Sequence, residues 1–167
     1  MAQKPRGAPT SRPRTASRVG AVQALFQAEQ GATNPETVID EFIRHRLGAV
    51  EDAGFEDGRV PDADVALFAR IVRGATAEQE RIDILIASAL PADWPLDRLD
   101  PVLRALLRAG AAELGMADGP PTRVVINEYL DVAHGFLDGD APKLANGVLD
   151  RLAHLMRPAE FGEAVAP

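Results

Sequence analysis

Two amphipathic stripes in the last quarter of the chain constrain its fold more than any other feature. Apolar residues recur every three or four positions from residue 125 to 136 and again from 144 to 155, the spacing that places side chains on one face of an α-helix. The first stripe contains Val125, Tyr129, Val132 and Phe136, and the second contains Leu144, Val148, Leu152 and Leu155. The pattern predicts two helices, joined by an acidic turn at 138–140, that bury these stripes.

The same periodicity continues through most of the chain, and no segment alternates with period two for long enough to predict a strand. Helices are predicted at 17–30, 34–47, from 62 or 64 to 89, 100–114, 121–136 and 141–157. Gly74 lies inside the longest of these and allows either close packing or a break, so the count is six or seven helices. The fold class is therefore all-α, a compact helical bundle. Its core is expected to contain Leu103, Leu106, Val125, Tyr129, Val148 and Leu152.

Stretches rich in proline, glycine and polar residues predict where this bundle begins and ends. Residues 1–15 are rich in Pro, Gly and Ser and are expected to form a flexible basic arm. Residues 16–158 form the single helical domain, and 159–167 form a flexible tail. A loop at 48–61, marked by glycines, a proline and acids, can divide the domain into two small sub-bundles.

The charge of the chain is unevenly distributed. The first 28 residues carry five cations and no acid, whereas the rest carries a net charge of −12. Because an acidic body repels phosphate, any nucleic-acid contact is expected to centre on the N-terminal arm; a solvated tail that only aids solubility is the alternative. No apolar run approaches the roughly 20 residues that span a bilayer, so a soluble, cytoplasmic protein without membrane contact is predicted.

The sequence offers no convergent set of reactive groups, and we predict that the protein is not an enzyme. Cysteine is absent, which excludes thiolate metal sites and a cysteine nucleophile. The three histidines lack metal-ligand spacing, and no glycine-rich phosphate loop is present, so neither a metal nor a cofactor is expected.

Three isolated residues have packing interpretations. Trp94 is expected to fill the junction between helices. Asn127 and Asn146 lie among apolar residues. Each is expected to fix helix packing by a hydrogen bond or, alternatively, to shape a partner-binding groove.

Several segments, in order along the chain, resemble the NusB family of bacterial transcription antitermination factors. They are A-V-Q-A-L-F at 21–26, L-F-A-R-I-V-R-G at 67–74, Trp94, the run at 100–114, I-N-E at 126–128 and N-G-V-L-D at 146–150. Each segment alone is weakly specific, but the ordered set is specific. The resemblance covers about residues 18–155 and implies an all-helical fold.

The resemblance also implies a function. Members of the family pair with a small-subunit ribosomal protein, NusE, bind the boxA element of single-stranded RNA, and support antiterminated transcription by RNA polymerase, chiefly of ribosomal RNA operons. It implies RNA contacts at Arg12, Arg14, Arg18, Gln23 and Phe26. It implies a protein-binding surface at Phe136, Asp140, Lys143 and Leu144.

Two other functions compete with this interpretation. Related helical domains occur at the start of ribosomal-RNA cytosine methyltransferases, and an RNA-binding domain of that kind is one alternative. Such an enzyme would also need a nucleotide-binding domain and a catalytic cysteine, which this chain lacks. The other alternative is a self-associating structural protein whose homodimer covers the basic region.

Overall fold

The computed structural model describes residues 11–47 and 64–163 of the chain. Within these ranges the chain folds into seven α-helices and two short 3₁₀ turns, without a β-strand. The helices are α1 Ser11–Gly31, α2 Pro35–His45, α3 Val65–Ala77, α4 Gln79–Ala89, α5 Pro101–Leu114, α6 Thr122–Phe136 and α7 Ala141–Met156. The all-α prediction is confirmed. No helix in the described ranges has both the length and the apolar character that crossing a membrane requires.

Local capping signals explain where several helices begin. The side chain of Asn34 accepts a hydrogen bond from the backbone N–H of Glu36, and Pro35 occupies the first turn of α2. The carboxylate of Asp64 accepts from the N–H of Leu67 at the start of α3. The carboxylate of Asp100 likewise accepts hydrogen bonds from the N–H groups of Val102 and Leu103 at the start of α5. These contacts satisfy amide groups that a helix start leaves unpaired.

Helix α5 is the centre of the bundle. Eleven of its fourteen residues are buried, and it packs against α1, α3, α4, α6 and α7. Its small residues permit this crowding: a Cβ added at Gly110 would lie only 2.7 Å from Cδ2 of Leu149 on α7. The six predicted core residues are all 2% exposed or less, which confirms the core. Because α5 packs against helices from both halves of the chain, the buried residues of the described ranges form one core. The loop at 48–61 lies outside the described residues, so a division there into two sub-bundles stays a prediction.

The long helical stretch predicted to end near residue 89 consists of two helices, the second of the two possibilities left open by the sequence. The break falls at Glu78, whose N–H bonds to the carbonyls of Gly74 and Thr76, so α3 ends there and α4 begins. Gly74 continues the helix instead of breaking it. An added Cβ would lie 3.8 Å from Cβ of Ala112, an ordinary contact, so the packing at this position does not require a glycine.

Both predicted flexible ends are partly ordered. Helix α1 begins at Ser11, so residues 11–15 belong to it and not to the arm; the rest of the arm lies outside the described residues. At the other end, a 3₁₀ turn at Pro158–Phe161 folds back on α6 and α7. The carboxylate of Glu160 accepts from the N–H of Thr122, and Phe161 stacks on His154 with ring centroids 3.7 Å apart. These contacts correct the tail prediction for residues 159–163.

Candidate functional site

The predicted RNA contact Arg18 is a buried structural residue. Its side chain is 2% exposed and forms a bidentate ion pair with Glu113 of α5, which is fully buried. The Nε–Oε2 and Nη2–Oε1 distances are 2.8 and 2.7 Å, and Glu128 of α6 lies 3.5 Å from Nη1. Arg18 borders the cavity that Arg14 lines, but with its side chain 2% exposed and its charge paired it offers almost no surface to RNA. The prediction of an RNA contact at Arg18 is therefore wrong.

Arg18 instead anchors the start of α1. Burial by itself lowers the pKa of Arg18, but the hydrogen bond and negative charge of Glu113 outweigh it, so the pKa is raised and the guanidinium stays charged. Two further contacts hold the same turns: Thr15 Oγ1 donates to Glu128 at 2.8 Å, and Ser17 Oγ donates to the carbonyls of residues 13 and 64. The first turns of α1 are thus fixed against α3, α5 and α6.

Arg14 is exposed on this anchored segment. It lines a cavity of about 280 Å³ together with Arg70, Met116 and Asp118. Arg12 lies two residues earlier in α1, but its side chain is outside the described residues. Arg14 can therefore offer a cation to a phosphate from a fixed backbone position.

The other two predicted RNA contacts lie elsewhere on α1. Gln23 and Phe26 are three residues apart and half-buried, so they share one side of the helix. Arg14 is nine residues before Gln23, which at about 100° per residue places it on the opposite side of α1. The helix therefore does not bring these three residues onto a single face.

The predicted protein-binding residues fall mostly in one groove. Asp140, Lys143 and Leu144, at the start of α7, line a groove of about 670 Å³. The opposite wall is formed by the connection between α4 and α5, which contributes Pro91 and Trp94. We call this surface the α7 groove. Phe136 is exposed at the end of α6 but does not line it.

Trp94 is the residue of this groove that sequence reasoning missed. It is 48% exposed, so the prediction that it fills the junction between helices is wrong. It lies in the connection between α4 and α5, between Pro91 and Pro95, which limit the backbone. An exposed tryptophan beside Leu144 is the kind of apolar anchor that protein interfaces use.

Asn127 and Asn146 are both exposed. Neither is a buried residue that fixes helix packing, and neither lines the α7 groove.

Among the residues described, no group of three or more metal-ligating side chains occurs. His154 is used in packing, because Nδ1 lies 2.6 Å from the carboxylate of Glu163 while the ring stacks on Phe161.

These features define a class of protein. It is all-helical, it carries an exposed arginine, Arg14, at the fixed start of α1, and it has an apolar groove suited to a protein ligand. Comparison with known proteins agrees with that class. The sequence pattern of the NusB family matches residues 15–154. The chain belongs to the NusB family.

Named relatives support the same assignment. The chain is 66% identical over 152 residues to the transcription antitermination protein NusB of Granulibacter bethesdensis, covering 90% of this chain and 93% of that protein. It is 56% identical to the NusB of Gluconobacter oxydans, with 89% and 91% covered.

Solved structures share the fold. T. maritima NusB superposes with a TM-score of 0.71 at 28% identity, with 90% of this chain and 97% of that chain covered. A crystal structure of the antitermination factors NusB and NusE in complex with double-stranded RNA gives a TM-score of 0.67 at 25% identity, with 85% and 96% covered.

Proposed function

We propose that this protein is a non-catalytic transcription antitermination factor that pairs with the ribosomal protein NusE and binds boxA RNA, chiefly of ribosomal RNA operons. The observation that carries the proposal is the match to NusB proteins over nearly the full length of both chains. A related NusB has been crystallised with NusE and RNA, which supports the same kind of partners here. The complex would act with RNA polymerase in the cytoplasm.

NusE is proposed to bind in the α7 groove. Trp94 and Leu144 supply apolar contact area, while Asp140 and Lys143 supply charges of both signs at its edge. Buried aromatic anchors commonly dominate the energy of such interfaces. Phe136 lies at the end of α6, just before the turn that leads to α7, and is proposed to extend the contact.

A calorimetric titration of purified NusE tests this site. Trp94→Ala is expected to weaken binding by about 2 kcal/mol or more, the cost typical of an interface anchor. Ile84→Ala is the matched control, because Ile84 is 70% exposed on α4 and does not line the groove. Equal affinity of the Trp94 variant and the control would exclude the α7 groove as the NusE site.

RNA is proposed to be held at the start of α1, and only in cooperation with NusE. Arg14 is exposed there and Arg12 lies in the same helix, but the body beyond residue 28 has a net charge of −12. So few cations on an acidic body should bind RNA weakly without a basic partner, because phosphate contacts supply most non-specific affinity. Gln23 and Phe26 are proposed as a second contact on the other side of α1.

The test uses boxA RNA and the two-protein complex. Arg12→Ala/Arg14→Ala should weaken RNA binding and make its salt slope less steep by about 1.4, since each lost phosphate contact on single-stranded RNA contributes roughly −0.7. Assembly with NusE, followed by light scattering, should not change. If the variant bound RNA with the affinity and salt slope of wild type, the arm would be only a solvated tail. Light scattering of the protein alone also separates this proposal from the homodimer alternative.

A further inference from the structure

The cavity beside Arg14 continues into a second concave surface. A groove of about 420 Å³ runs along α3, the start of α4, and α5. Arg70 and Met116 line both the cavity and this groove, so the two are neighbours on one face of the molecule. We call the second surface the α3–α4 groove.

The α3–α4 groove is basic on an otherwise acidic protein. Its charged lining residues are Arg70, Arg73, Arg81 and Glu78, three cations and one acid. Arg70 and Arg73 are three residues apart on α3 and therefore project from the same side of the helix. The break at Glu78 then starts α4, which brings Arg81 to the same groove.

The floor between these arginines is made of small and apolar residues. Gly74, Ala111, Ala112 and Gly115 line it, together with two methionines. Small residues leave room for a flat group to approach the backbone. Guanidinium groups around such a floor can both pair with phosphates and stack on bases.

The ion pairs already present do not block this surface. Arg70 pairs with Asp118 and Arg73 pairs with Glu36, both at 2.8 Å, but all four side chains are more than half exposed. Exposed pairs of this kind are weak and exchange readily with solvent. Arg81 is exposed on α4 and has no ion pair within the described part of the chain. An incoming phosphate can therefore compete for all three guanidinium groups.

We propose that the α3–α4 groove binds the sugar-phosphate backbone of single-stranded RNA that continues beyond the contacts on α1. The inference rests on the proposed RNA-binding function. A line of cations from Arg14 through Arg70 to Arg81 suits a ligand with regularly repeated negative charge. An acidic peptide would supply charge but no planar bases for the small-residue floor, so RNA is the better match.

The test compares two RNAs on the complex with NusE. One carries only the boxA element, and the other is extended by about ten nucleotides at each end, within the site size of single-strand-binding grooves. The variant is Arg73→Gln/Arg81→Gln. The control Arg44→Gln/Arg98→Gln also removes one ion-paired and one unpaired exposed arginine, but neither residue lines the groove.

The extended RNA should bind the variant about 5- to 25-fold more weakly than wild type near 0.1 M salt, as expected for one or two lost phosphate contacts. The short RNA should bind both proteins equally, and the control should match wild type. Equal binding of the extended RNA to variant and wild type, or the same loss with both RNAs, would overturn the inference. If wild type bound neither RNA, the proposed function itself would fail, and the inference with it.

Discussion

The buried pair of Arg18 and Glu113 makes the sharpest prediction about stability. Replacing Arg18 with methionine keeps an unbranched side chain that can pack in the core but removes the guanidinium and its charge. The carboxylate of Glu113 would then remain fully buried without the three short hydrogen bonds that it now accepts. Removing one partner of a buried ion pair typically costs about 3–5 kcal/mol. For a domain whose total stability is about 5–15 kcal/mol, this is a large fraction.

Urea unfolding followed by circular dichroism measures the effect. Arg18→Met should lower the unfolding midpoint strongly, while Arg73→Met, which removes an exposed pair with Glu36, should leave it nearly unchanged. The double variant Arg18→Met/Glu113→Met should recover most of the loss, because well-packed apolar residues can replace a buried pair at little cost.

The coupling between the two positions then follows from a double-mutant cycle. A midpoint for Arg18→Met equal to that of wild type would refute the reasoning. So would a double variant that is less stable than both single variants, because that result would mean that packing, and not the unpaired charge, dominates.

Three further predictions concern stability. The pKa of Glu29 is lowered mainly by its hydrogen bond from Arg104. The ionised Glu29 therefore contributes to the stability of the fold above its ordinary pKa of about 4.5, and this contribution is lost as the pH falls through the lower pKa of the folded protein. The unfolding midpoint of Glu29→Gln should therefore change less between pH 5 and pH 3 than that of wild type, as fluorescence or circular dichroism can measure. Gly110→Ala should cost about 1–3 kcal/mol because its Cβ would crowd Leu149 on α7. Gly147→Ala, where nothing lies within 4 Å, should instead stabilise α7 by up to about 1 kcal/mol in the same unfolding assay.

Features that depend on neighbouring residues could be predicted from the sequence. The starts of α2 and α5 follow from a cap and a proline within three positions, at Asn34 and at Asp100. The helical core residues follow from their periodicity, which each helix displays without reference to its partners. For the same reason the all-α fold class can be predicted from the sequence.

Features that depend on distant residues could not be predicted in this way. Arg18 looks like part of a basic arm because the acid that buries it lies 95 residues later in the chain. Trp94 looks like a core residue because large apolar side chains are usually buried, yet it is 48% exposed. Arg70, Arg73 and Arg81 line one groove together with residues of α5 and α7, which lie much later in the chain.

Helix α5 connects the two proposed binding surfaces through the core. Asp100 and Leu103, at its start, line the α7 groove, whereas Glu113, near its end, holds the first turns of α1 through Arg18. Ten residues of α-helix separate Leu103 from Glu113, a distance of about 15 Å. Because α5 is buried on nearly every side, this spacing is rigid. A basic protein seated in the α7 groove would therefore be held at a fixed distance from the RNA contacts of α1, which is the geometry that cooperative binding of RNA by two proteins requires.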